Sequence, residues 1–205
     1  MFDYKIILGV VAVIIGFIGY IPYIRDTLKG RTRPHVFSWF LWSLMEGIVF
    51  FAQLAGGAGI GAAVTGAAAL TTFFIAILAL RSEDKQITKW DLASLAGALV
   101  GIILWRITNN PLLAVIFVAL ADALAYAPTY RKSWNRPHEE TLIEYALSSV
   151  KWVMSIFALK SLNLTTFLYP ASLVFTNSVF VVLLIMRRRH FAKAKTLPPQ
   201  TNRLK

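Results

Sequence analysis

Seven apolar stretches, at residues 5–24, 36–56, 59–80, 90–107, 111–130, 141–159 and 165–186, are separated by short clusters of charge. Each is close to the roughly 20 helical residues needed to cross a bilayer core of about 30 Å. The pattern therefore predicts seven membrane-spanning helices. They occupy most of the 205 residues and leave no room for a sizeable soluble domain. Composition agrees, since 57% of residues are hydrophobic and 15% charged, against about 25% charged in an average soluble domain. The first stretch is longer than a signal-peptide core and no small-x-small site follows Tyr20, so it is expected to remain as a helix. With no cysteine, disulfides and thiolate metal sites are excluded.

Charge then sets an expected orientation. Of 21 Lys and Arg, four lie in the 25–35 loop, three in 81–90, three in 131–138 and seven from residue 187 onward. With seven crossings these seventeen share one face, and the other receives only Lys5, Arg106 and Lys160. That asymmetry is the signature of a cytoplasmic face. Met1 is expected outside and the C-terminus inside, in the cell membrane. Position also reinterprets the net charge of +11. The tail "RRRHFAKAKTLPPQTNRLK" is expected to anchor on anionic lipid rather than bind nucleic acid.

The chain also repeats itself. "GYIPYIRDTLKGRTRPH" (19–35) and "AYAPTYRKSWNRPH" (125–138) align at an offset of 106, which brings Tyr20, Pro22 and Arg25 onto Tyr126, Pro128 and Arg131. After three lost loop residues, Arg33, Pro34 and His35 fall on Arg136, Pro137 and His138. Three crossings invert chain direction, so a fourth helix is needed before a second copy can repeat the first in the same sense. The expectation is an all-helical membrane fold of two parallel three-helix bundles, residues 1–81 and 110–189. Residues 82–109 form a linker helix and 190–205 a basic tail.

The stretch "YIPYIRDTLKGRTRPHVFSWFLW", with its 3+1+3 setting, resembles the PQ-loop and SWEET-like superfamily of transporters. Tyr23 and Thr129 stand where the namesake motif has glutamine. The resemblance implies alternating access, with Pro22 and Pro128 as hinges. It also implies a substrate pocket with an asparagine and a tryptophan, to which Asn177 and Trp152 correspond. The first copy offers Thr71 and Val49 at the matching positions, so the implied pocket is asymmetric.

Helical rise puts Glu46, Asp122, Thr71 and Asn177 each roughly 14–16 Å from the basic helix ends, near mid-membrane. Ionisable groups at that depth are costly and usually face a cavity or a partner. Glu46 and Asp122 are therefore candidate substrate ligands and proton carriers. Trp42 and Trp39 share the helical face of Glu46. For Thr71 an interhelical hydrogen bond is the competing reading. Lys151 is expected either to snorkel or to pair with Glu46 or Asp122, and Glu144 to reach cytoplasmic water. Pro34 and Pro137 are expected to start helices two and six, Glu139 and Glu140 to sit at the positive end of helix six, and His35 and His138 to cap or be solvated. Trp90, Trp105 and Trp134 suit an interfacial belt. "GGAGIGAAVTGAAAL" lacks the features of a phosphate loop and reads as a small-residue packing face through Gly57, Gly61, Ala62 and Gly66, with Gly97 and Gly101 doing the same on helix four.

The leading expectation is a non-enzymatic transporter of a small polar solute, a sugar or other neutral metabolite, with proton coupling through Glu46 and Asp122. The alternative is a receptor or assembly factor that binds in the same cavity without translocating. No cofactor or metal is expected. The pattern is compatible with a monomer or a homo-oligomer.

Overall fold

The computed structural model describes residues 4–81 and 87–196, with backbone alone at 128 and 193–196. Residues 1–3, 82–86 and 197–205, including the end of the expected lipid-anchoring tail, lie outside the described residues. Seven α-helices follow in order: α1 (Tyr4–Leu28), α2 (Val36–Ala55), α3 (Ala62–Ala79), α4 (Lys89–Thr108), α5 (Pro111–Asn135), α6 (Leu142–Ala158) and α7 (Leu164–Thr196). Short 3₁₀ turns stand at Gly59–Gly61 and Pro137–Glu139, and no strand occurs among the described residues.

Six of these helices, all but α6, are long and apolar enough to cross a membrane. The chain is a multi-pass integral membrane protein. Its outer surface says the same: on α1, Ile7, Val10, Ile14, Phe17 and Ile21 form an exposed stripe at helical spacing. The opposite face buries Gly9, Ala12, Gly16, Gly19, Tyr20 and Tyr23. Such a stripe is an aggregation hazard in water and is well solvated by acyl chains. The exception, α6, has 17 residues, and Glu144 and Lys151 on it are both buried.

Helix ends follow local chemistry. His35 caps α2, its Nδ1 accepting from Ser38 N at 3.3 Å, as expected of it. Thr88 and Asp91 form a reciprocal capping box at the start of α4, and buried Asp91 Oδ1 lies 3.9 Å from His35 Nδ1, beyond hydrogen-bonding distance. Pro111 opens α5 at a position where its missing N–H is harmless. Pro137 departs from expectation. It opens the turn rather than α6, because Glu140 is extended (φ −121, ψ 147) and interrupts the helix.

The helix contacts form a symmetric pattern. Helix α3 packs on both α1 and α2, α7 packs on both α5 and α6, and the two sets meet through α1 against α6 and α2 against α5. Exchanging α1, α2 and α3 for α5, α6 and α7 maps this pattern onto itself. Helix α4 lies along α5, with small residues permitting the approach: a Cβ on Gly101 would sit 3.1 Å from that of Phe117, and one on Gly97 3.2 Å from that of Ala121.

The tightest approach to backbone is at Gly61, where an added Cβ would come within 2.9 Å of Leu159 Cα. Backbone cannot yield there, so Gly61→Val is expected to destabilise the protein by about 1–3 kcal/mol. Around Gly47 a Cβ meets nothing within 4 Å. Thermal unfolding in detergent should show a clear loss for Gly61→Val and none for Gly47→Ala.

Candidate functional site

The helices converge on a cavity of about 30 Å³, room for roughly two water molecules. Helix α2 contributes Trp39, Trp42 and Glu46, spaced three and four apart on one face, and α5 contributes Asp122 and Tyr126 at a spacing of four. Helix α6 adds Glu144, Tyr145, Ser148 and Trp152, and α7 adds Leu173 and Asn177, again four apart. Tyr20 on α1 and Thr72 on α3 complete the lining.

Three carboxyl groups reach this space, and Glu46, Asp122 and Glu144 are 5%, 1% and 3% exposed. Thr72 Oγ1 donates to Glu46 at 2.8 Å, Ser148 Oγ to Glu144 at 2.9 Å, and Tyr169 Oη to Asp122 at 3.5 Å. Asp122 and Glu144 each keep one oxygen, Oδ2 and Oε2, without a hydrogen-bond partner. A buried polar atom left in that condition is costly unless it serves a ligand, a proton or a moving part.

The expected site residues are distributed as follows. Glu46, Asp122, Trp42, Trp152 and Asn177 all line the cavity. Asn177 accepts from Tyr126 Oη at 3.0 Å and donates to Leu173 O at 2.7 Å. Thr71 does not line it: its hydroxyl donates to Ala67 O at 2.8 Å. One residue further on is about 100° around the helix, so Thr72 takes the inward place instead. Pro22 lies inside an uninterrupted α1, and α5 likewise continues through position 128.

Lys151 follows neither path foreseen for it. It is 2% exposed, so it does not snorkel. Its ammonium donates to Tyr20 Oη at 3.3 Å and sits 4.4 Å from the ring centre of Trp152 and 5.1 Å from that of Tyr20. Aromatic faces attract a desolvated cation, and the Tyr20 and Trp152 rings seat this one. Its stem crosses α1 at Gly16, where a Cβ would stand 2.8 Å from Lys151 Cδ.

Glu144 was expected to reach cytoplasmic water, and a polar closure beneath it prevents this. Lys132 and Glu140 form a buried ion pair. Glu140 also accepts from Tyr145 Oη at 3.0 Å and Tyr23 Oη at 3.4 Å. Lys132 Nζ donates to Arg33 O at 2.6 Å, and the Thr32 and Thr141 hydroxyls meet at 2.6 Å. Arg188 donates to Pro137 O and Glu140 O. Glu140, which directly precedes the α6 N-cap Thr141, is thus the centre of a tie that joins α1, the first loop and the start of α6. Tyr23 accepts from Trp39 Nε1 at 3.1 Å, so the closure joins the cavity wall directly.

The opposite end is tied as well. Asn163 Nδ2 donates to Gly56 O, Lys160 N to Ala58 O, and Lys5 Nζ to Leu159 O. Deeper, Pro170 interrupts α7 bonding and frees the carbonyl four residues back, Thr166 O. Gln53 Nε2 of α2 donates to that carbonyl at 3.0 Å, while its Oε1 accepts from Thr65 at 2.7 Å.

The tyrosines contribute more to the site than their place in a repeated motif implies. Tyr20 and Tyr126 were read only as parts of a repeated motif, although two aromatic hydroxyls at matched positions beside mid-membrane acids signal a shared site. Pro170 and Gln53 also went unread; a proline in a long apolar run with one buried amide in another was the available signal.

Fold and site together define a helical multi-pass membrane protein built around an acidic, aromatic-walled cavity closed at both ends. The chain matches no protein-family model, no curated protein and no solved structure.

Proposed function

We propose that this protein is a transporter of a small polar solute that works by alternating access, as the resemblance to the PQ-loop and SWEET-like superfamily implies. In this reading α6 is a seventh crossing, since 17 residues is the lower limit for a spanning helix. Helices α1–α3 and α5–α7 then form two parallel three-helix bundles, α4 is their linker, Met1 lies outside and the C-terminus is cytoplasmic. The single observation that carries the proposal is that the buried cavity lies between the helix sets α1–α3 and α5–α7 and has at each end polar ties running from one set to the other, Tyr23 to Glu140 and Lys132 to Arg33 O at one end, Gln53 to Thr166 O and Asn163 to Gly56 O at the other. A receptor needs one opening, whereas a carrier needs two separable closures.

A cavity of about 30 Å³ is too small for any metabolite, so the conformation described corresponds to the closed intermediate of such a cycle. Trp39, Trp42 and Trp152 offer apolar faces to a solute, while Asn177 and the carboxyl groups offer hydrogen bonds. Glu46 and Asp122 serve as proton carriers in this scheme. In proteoliposomes, uptake of the transported solute should rise with an imposed pH gradient. Glu46→Gln and Asp122→Asn should remove that response while leaving solute counterflow measurable. Saturable solute binding without counterflow in the native protein would instead identify a receptor.

A further inference from the structure

On the membrane side of α7 a groove of about 580 Å³ runs beside the end of α5. Val179, Val182 and Met186 form its exposed apolar wall, extending about 10 Å along the helix. At its C-terminal end stand Arg187, Arg189 and His190, and no carboxylate lines it among the described residues. Arg187 is held in place: its Nε donates to Trp134 O at 2.8 Å, and its guanidinium lies 4.4 Å from the ring centre of Trp134 and 5.3 Å from that of Phe191. Trp134 closes the groove at the same level.

We propose that this groove is a binding site for one anionic phospholipid, with an acyl chain along Val179–Met186 and the phosphate at Arg187 and Arg189. Charge complementarity selects this occupant. An apolar wall facing the bilayer would take any acyl chain, but a cluster of cations with no acid among them favours a lipid with net negative charge. Arg187 is oriented before the lipid arrives, since one guanidinium edge is committed to the Trp134 carbonyl and its face to the indole. An arginine fork suits phosphate oxygens. The site is independent of the central cavity and of the transport reading, because it requires only that α7 cross a membrane.

The full chain in detergent micelles, titrated with phosphatidylglycerol or phosphatidylcholine and examined by native mass spectrometry, tests the proposal. One phosphatidylglycerol should bind in preference to phosphatidylcholine. Arginines near an anionic surface contribute roughly fivefold each, so Arg187→Gln/Arg189→Gln should cut the preference by roughly 30-fold. Arg187→Lys/Arg189→Lys should retain most of it. Val182→Trp/Met186→Trp fills the wall without touching charge and should abolish the single-lipid adduct, while thermal unfolding without added lipid reports that each variant is folded. Inorganic phosphate should not compete. Equal binding of the two lipids, an unchanged preference in the double glutamine variant, a persisting adduct in the double tryptophan variant, or full competition by phosphate would each overturn the assignment.

Discussion

Lys132→Met is expected to cost about 3–5 kcal/mol, the usual effect of leaving one member of a buried ion pair without its partner. Glu140 would remain buried without its direct ion-pair partner, left with the Tyr23 and Tyr145 hydroxyls and the Arg188 guanidinium that donates to its backbone carbonyl, and Arg33 O would lose this donor. The double variant Lys132→Met/Glu140→Gln should recover most of the loss. A glutamine fills the same space, still accepts from the tyrosines and carries no charge. Thermal unfolding of the two variants in one detergent measures both effects. The recovery matters more than the loss, because a merely misfolded Lys132 variant would not be rescued by a second substitution. On the transport reading the double variant also has a weaker inner closure, so the cavity should open to the cytoplasm more readily than in the native chain.

Trp152→Leu is expected to lower solute counterflow by about an order of magnitude or more. The indole is buried, packs edge-on against Tyr169 at 6.1 Å between ring centres, and is the nearest aromatic face to the Lys151 ammonium at 4.4 Å. A desolvated cation–aromatic contact contributes about 2 kcal/mol, and leucine keeps apolar bulk while removing the π face. Without that seat the ammonium is free to turn toward Glu46 or Glu144 and occupy the space a solute needs. Trp152→Phe, which keeps a ring, should retain most of the activity. Equal counterflow in the leucine and native proteins would remove Trp152 from the site.

Much of this architecture is legible in the sequence because a bilayer imposes length and apolarity on each crossing, and because the Tyr-x-Pro-x-x-Arg repeat states which helices correspond. The observed helices begin within about three residues of the apolar stretches, where Pro111, His35 and Thr88 mark the starts. Their ends were harder to read. Helix α5 runs to Asn135 and α7 to Thr196, past the end of apolarity, since charged residues remain good helix formers once outside the hydrocarbon.

Glu46, Asp122 and Asn177 could be placed at one depth because helical rise is constant. What rise cannot supply is azimuth, and a single step of about 100° separates Thr71 from Thr72. Nor could it show that Glu140 turns inward to Lys132, because that depends on how the 137–141 segment folds under α6. The destination of Lys151 was unreadable for a related reason. Its aromatic seat is made by Tyr20, 131 positions earlier, and by its own neighbour Trp152, and only packing of α1 on α6 brings the former into range.

Alternating access requires the cavity to open in turn to the two sides of the membrane. Because the chain contains no cysteine, Ser148→Cys puts a single thiol in the cavity wall, and a membrane-impermeant maleimide can be applied to sealed vesicles of either orientation. An alternating cavity gives modification from both faces, with saturating solute slowing the two reactions. Modification from one face alone, whatever the solute concentration, would contradict it.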